Sequence, residues 1–480
     1  MTNEGMDPTE VSYTDMEQRP SEEPFAPGTV RLERRGISTG HRDGQLLLQP
    51  QPSEDPNDPL NWSRRRKFVN FSIICFYALM TFTILDIGPA AWQDYIDELD
   101  MSWAQLNATF ASNTAGLAVG CIIFIPFTFK YGRRPVYIIS TIVTLAMSIW
   151  QAKLNSFGEM VATQVISGLS GAVSETLVQM TVTDMFFVHQ RGTMNGLYLL
   201  MVTIGTFLAP VASGLISFSE GWRWMYWWTT ILIGINVLLF VFFYEETQFI
   251  PQNRLDLRTS PNNSTQTTNE TSQGEAEAKK QMEASRSLNV VPHSFTGINH
   301  SIPMKPYRER LAFTTTTNIP ANQILRHTWQ PFVIIGTIPA IAYLALQYGV
   351  ILAWFSILVT SEAEYFVIAP YNFSEVGIGL LQLPAFIGCL LGFIWGGPMS
   401  DWSILWFTRR NGGIYEPEMR LYFALLPALV GPVGLLLYGY STAAGMPWIV
   451  PCIGTAMFGF TATSLGDISL TYLSDSYYYW

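Results

Sequence analysis

The chain has 480 residues, 49% of them hydrophobic and 14% aromatic but only 13% charged, which is too apolar for an ordinary water-soluble protein of this length. Its net charge of −10 is spread through tails and loops without a long block of one sign, so it reads as solvation, and nucleic-acid binding has no support. Cys75, Cys121, Cys389 and Cys452 all fall in apolar stretches, so a disulfide scaffold is excluded in favour of reduced packing thiols.

In chain order, residues 1–66 are rich in Pro, Glu, Ser and Thr and are expected to form a disordered cytoplasmic tail. Its polarity rules out a cleavable signal peptide, so the first apolar stretch is expected to act as the targeting signal. About ten stretches then approach the roughly 20 apolar residues a helix needs to cross a bilayer. They lie near Phe68 to Ala90, Thr109 to Phe129, Val136 to Gln151, Gly158 to Phe187, Leu197 to Phe218, Trp224 to Tyr244, Thr328 to Thr360, Val376 to Pro398, Leu421 to Tyr440 and Trp448 to Leu473. Backbone groups in lipid must be satisfied within the segment, so the fold class is all-α and multi-pass. A polar stretch containing "SPNNSTQTTNETSQGEAEAKKQ" interrupts the series. It predicts a bundle over 67–245, a largely disordered cytoplasmic linker over 246–327 and a second bundle over 328–480.

Basic residues mark every second connection: Arg64 to Lys67 before the first span, Lys130, Arg133 and Arg134 after the second, Arg191 after the fourth, and Arg409, Arg410 and Arg420 after the eighth. The alternate connections carry Asp94, Asp97, Glu98 and Asp100, or Glu362, Glu364 and Glu375, without a cation. The excess of cations on one side places both termini in the cytoplasm, with the plasma membrane favoured over the vacuole.

Walker A, HExxH and G-x-S-x-G patterns are missing, and the five histidines sit in tails or loop positions, so an enzyme, a metal site and a cofactor are not expected. Small residues form strips instead. Gly205, Ala209 and Ser213, followed by Gly214, run along the fifth span, where Pro210 removes a donor, and Gly388, Gly392 and Gly396 run along the eighth. Such strips let helix backbones approach closely. Gly132, Arg133 and Arg134, ahead of Pro135, read either as a membrane anchor with a helix start or as a gating loop.

The segments "KYGRRPVY", "DMFFVHQRGTMNGLYL", "GTFLAPVASG", "GWRWMYWW" and "GPMSDW...RRNGGIYEPEMRL", with "DPNDPLNWSRRRKF" leading into the first span, together resemble fungal major facilitator proteins of the drug:proton antiporter type. The resemblance covers Asp55 to Tyr477 and implies two six-helix bundles around a central cavity, working as a monomer that exchanges small organic molecules, drug-like, toxin-like or polyamine-like, for protons. It also implies that the fifth and eighth spans seal and hinge the interface between bundles. By pseudo-symmetry, Asp401 meets the start of the fifth span near Arg191, or pairs with Arg409 and Arg410. The family's first loop motif is incomplete, with Ile125 in place of its Gly and Phe129 in place of its Asp. Against the family's usual twelve helices the second bundle is two short, so a C-terminally truncated chain, inactive in export, is expected.

Ionisable residues inside the hydrocarbon are the candidates for transport chemistry. Glu175 comes first, with Gln179 one turn on, since a carboxyl held there can take up a proton near neutral pH. Asp86 is expected near headgroups at the outer end of the first span, and Asp184 and Asp467 near cytoplasmic ends as gate or capping residues. On the seventh span Tyr343 and Gln347, with Tyr348 and Trp354, suit an amphipathic or cationic substrate. A facilitator or symporter on the same scaffold, or a non-transporting membrane protein, remains the alternative.

Overall fold

The computed structural model describes residues 30–31, 52–249, 302–314, 321–412 and 414–476. Eight helical segments among these are long and apolar enough to cross a membrane. With two shorter or more polar helices between them they make α1 (Arg64–Asp86), α2 (Trp103–Tyr131), α3 (Arg134–Gln151), α4 (Phe157–Met185), α5 (Val188–Glu220), α6 (Trp222–Phe242), α7 (Pro339–Tyr365), α8 (Glu375–Arg410), α9 (Pro417–Ala443) and α10 (Ile449–Ser476). Their starts follow local chemistry. Ser63, Ser102, Ser156 and Ser374 accept backbone N–H groups at the heads of α1, α2, α4 and α8, and Ser102 forms a reciprocal capping box with Gln105. Gly132 ends α2 at φ +94°, a conformation that favours glycine, and Pro135 opens α3.

In each half, one helix pair meets backbone to backbone. Gly116 and Gly120 of α2 lie on the carbonyls of Val165 and Leu169 in α4, and Gly168 of α4 lies on that of Asn113. In the second half, Gly388, Gly392 and Gly396 of α8 lie on Ala456, Phe460 and Ser464 of α10, while Gly431, Gly434 and Gly454 bring α9 onto α10. Side chains have no room at these crossings: a methyl on Gly392 would stand 2.5 Å from the Phe460 carbonyl oxygen.

The glycine strips therefore have other neighbours than expected. Gly205 faces Leu79 and Phe82 of α1 and the α8 strip faces α10, so of the strip residues only Gly214 sets α5 against α8. Those two rods touch instead through Gly214, which meets the Glu375 carbonyl, and Gly379, which meets that of Pro210. Each rod also contains a π turn, over Ile204–Leu208 in α5 and Trp395–Met399 in α8.

The seventh predicted span is also corrected. A separate helix covers Ala321–Thr337, Ile338 is extended, and α7 starts only at Pro339, because the residue before a proline is pushed out of the helical region. Within the tail expected to be disordered, Val30–Arg31 pairs antiparallel with Ile414–Tyr415. Asp55 and Asp58 fold residues 53–61 into a turn by accepting from Asn57, Leu60 and Ser53 main-chain N–H groups at 2.8–2.9 Å. Residues 302–314, at the end of the predicted linker, dock on the first half. There Arg134 donates to the carbonyls of Leu311 and Ala312, Tyr307 to that of Phe242, and Arg310 pairs with Glu245, which also holds Arg66. The remaining tail and linker lie outside the described residues.

Candidate functional site

Between the halves, a cavity of about 100 Å³ is lined by α1, α4, α5, α7, α8 and α10. Its wall is apolar and aromatic, with Phe82, Phe207, Tyr348 and Phe355, and Glu175 supplies its carboxyl. Glu175 Oε2, from the first half, accepts a hydrogen bond from Tyr348 Oη, from the second, at 3.2 Å. Phe207 and Phe355 also meet across the halves, edge to face with centroids 5.6 Å apart. The face of α7 turned to the cavity is Tyr348, Ile351, Leu352 and Phe355, at helical spacing. Tyr343 and Trp354, 66% and 42% exposed, point away from the bundle, and Gln347 is absent from this wall. Of the four residues expected there only Tyr348 lines the cavity, and Gln347 and Trp354 each precede a wall residue by one position, about 100° around the helix. Gln179 stays half-buried on α4, its side-chain nitrogen unbonded.

Asp86 is not at a headgroup. The chain continues past α1 through a turn at Gly88–Ala91 and a helix over Trp92–Leu99, and Asp86 is buried inside the protein. Thr206, in the π turn of α5, donates to its Oδ2 at 2.7 Å. Glu362, read from sequence as a loop acid, lies inside α7, where Gln382 Nε2 donates to its Oε2 at 2.6 Å. The sequence around it, Thr-Ser-Glu-Ala-Glu over 360–364, is polar and gives no sign that the helix runs on to Tyr365.

At the end carrying the basic loops, the halves close through a buried charged cluster. Asp401 of α8 accepts from the Thr193 N–H and hydroxyl of α5, both at 2.7 Å, so the expected meeting with the start of α5 is present. Its cation is Arg420 at 3.0 Å, whereas Arg409 and Arg410 face outward and Arg410 lies over Trp406 at 3.8 Å. Arg420 also holds Asp475 of α10 at 3.1 Å, Tyr415 donates to Asp475 at 2.9 Å, and Arg191 of α5 reaches it at 3.4 Å. Sequence reading missed Asp475 and Tyr415. Two arginines thus meet two carboxylates, so each buried charge has an opposite partner. Gly192 is confined here because a methyl would strike the Asp401 carboxylate and lie 2.9 Å from Arg420 Nη1. The first half has its own counterpart, in which Arg133 pairs with Asp184 and the N–H groups of Arg133 and Arg134 donate to Glu246 at 3.1 Å. Asp467, wholly buried, faces Gly196 and Gly397 at the same level.

At the acidic end, Ser213 donates to the Ile87 carbonyl at 3.1 Å, Ser217 donates to Asp94, and Gly214 and Gly379 bring α5 against α8. The halves thus meet on both sides of the cavity, through Asp401 and Thr193 toward the basic end and through Gly214 and Gly379 toward the acidic end.

Comparison with known proteins agrees with this architecture. The chain is 34% identical over 478 residues to the MFS-type transporter C1271.10c of Schizosaccharomyces pombe, covering 94% of this chain and 81% of that protein. It is 29% identical to the protein HOL1 of Saccharomyces cerevisiae, with 90% and 79% covered, and 24% identical to the MFS antiporter QDR3 of Candida albicans, with 96% and 75% covered. Among solved structures, the proton:xylose symporter XylE superposes with a TM-score of 0.54 at 13% identity over 86% of this chain and 82% of its own, a likeness of fold. Two helical halves around a cavity that one glutamate enters, joined to a match over residues 71–478, place this chain in the Major Facilitator Superfamily.

Proposed function

We propose that this transporter exports small organic cations or amphiphiles in exchange for protons, with Glu175 as the residue that carries the proton. The bond between Glu175 and Tyr348 carries the reading, because it sets the carboxyl of one half against the other half at the cavity wall. An ionised carboxyl in an apolar enclosure is costly unless a positive charge neutralises it. A proton and a cationic substrate are the two ways to supply that charge, and they compete for one oxygen pair. Phe82, Phe207, Tyr348 and Phe355 present ring faces and edges suited to a cation or a flat apolar group. The antiporter name of QDR3 supports exchange. The basic loops support a cytoplasmic position for the charged cluster and for both termini, with Asp97 and Glu364 outside; the same proposal has the chain act as a monomer in the plasma membrane.

The test is flux in proteoliposomes with a linear polyamine and a lipophilic phosphonium cation as probes. Movement of at least one probe should follow an imposed pH gradient and fall to background in Glu175→Gln. Flux that ignores the gradient points to a facilitator, and gradient-driven flux untouched by Glu175→Gln removes the carrier role.

A further inference from the structure

Glu362 belongs neither to the cavity nor to the charged cluster. It is 4% exposed, and its hydrogen bond from Gln382 ties α7 to α8. These are the elements by which the second half closes the acidic end. Next to Glu362, Ala363 packs with Ile87, Ala91 and Trp92 of the first half. Gln382 follows the break in α8 at Leu381, and the short helix before that break, Glu375–Leu380, lies on α5. The fit is tight there: methyls on Gly379 and Gly214 would each stand 2.7 Å from a carbonyl oxygen of the opposite half, Pro210 and Glu375 respectively. Tyr438 of α9, bonded to Ser361 at 2.8 Å, and Cys452 of α10 also face the carboxyl. No cation among the described residues faces it.

We propose that Glu362 is a second proton-binding residue, which fastens the acidic end shut when protonated and releases it when ionised. With that end shut, an ionised Glu362 has one amide to replace its water. Parting α7 and α8 from the first half admits water to the carboxylate. The shut form therefore binds the proton more tightly than the open form, and by linkage acid favours closure and base favours opening. One proton is taken from the medium on that side at closure and returned to it at opening. The residue is thus a gate sensor distinct from the carrier Glu175, and the inference rests on the proton-exchange reading proposed above.

The experiment places a cysteine at Val202, which lines the cavity, in the full chain and measures its labelling by a membrane-impermeant maleimide from the acidic side. The otherwise unaltered chain supplies the background from the native thiols. Each rate is divided by that of a water-exposed cysteine at the same pH, Asp97→Cys, which cancels the rise in thiolate with pH, and this normalised rate should be at least threefold higher at pH 8 than at pH 5.5. Glu362→Gln should hold it at the slow rate at both, and Glu362→Asp, which still titrates, should keep the pH response. A response retained in Glu362→Gln overturns the proposal, as does equal behaviour of the Gln and Asp variants. So does a response that vanishes in Asp94→Asn while surviving in Glu362→Gln, which assigns sensing to Asp94 and Glu375 at the rim. In Glu175→Gln the labelling response should persist, so loss of coupled flux with intact labelling bears on Glu175 alone.

Discussion

Replacing Asp401 with Asn should open the cavity toward the basic end. Opening there separates Thr193 from Asp401 while Arg420, which belongs to the second half, stays with Asp401. The gate energy this residue contributes is therefore that of the two 2.7 Å hydrogen bonds from Thr193, and not that of the ion pair. A hydrogen bond to a charged acceptor contributes about 1.5–3 kcal/mol, and one between neutral groups about 0.5–1.5 kcal/mol. Asn offers one acceptor oxygen and no charge, so one bond is lost and the other weakened. The closed form should lose on the order of 2–4 kcal/mol, a shift of about 30- to 900-fold in favour of the open form. The assay is maleimide labelling of Val202→Cys from the basic side in inverted vesicles, with and without Asp401→Asn. Unchanged labelling at equal expression would refute the assignment of the gate to Asp401 and Thr193, and Thr193→Val should reproduce part of the effect.

Gly392→Ala should lower thermal stability in detergent by roughly 1–3 kcal/mol, since the Phe460 carbonyl cannot yield, whereas Gly439→Ala, with open space around it, should be neutral or slightly stabilising. Equal melting of the two variants would contradict the backbone contact between α8 and α10. Thr206→Val should strip Asp86 of its hydroxyl partner and destabilise the protein by about 1–3 kcal/mol, with Thr206→Ser close to the parent in the same melt. Arg134→Met removes the donor to Leu311 and Ala312, so tryptic cleavage at Arg308 and Arg310 should speed up while insertion is preserved; an unchanged digest would show that other contacts hold residues 302–314.

The order of spans was legible because hydropathy reports length and composition, but the seventh span ran together two helices that Ile338 separates. The serine caps went unread, although Ser63, Ser102, Ser156 and Ser374 act within four residues of themselves. Partners were harder. The strip from Gly205 and that from Gly388 to Gly396 announce close neighbours but carry no label saying which, and the neighbours are α1 and α10. Asp86 and Glu362 were misplaced for one shared reason: a single carboxyl near the edge of an apolar run looks like the end of the run. Only the tertiary partners, Thr206 and Gln382, show that the run continues. Glu175 was legible because it lies too deep in its helix for that ambiguity, yet Tyr348 as its partner depends on the rotation of α7, which the aromatic pattern did not fix.

The crossings of α2 with α4 and of α8 with α10 bear on how the protein is made. In each case the helix threaded between them in sequence, α3 or α9, is synthesised before the partner arrives, so a bare glycine face must wait in the lipid of the insertion site. At roughly 5–20 residues per second, translation from Gly388 to Ala456 takes several seconds. During that interval the quality-control machinery sees an unfilled groove, and α10 then joins α8 and α9 at once. Bulky substitutions along α10 at Gly454 or Gly459 should therefore be felt first as rapid degradation of nascent chains, before any effect on transport can be measured.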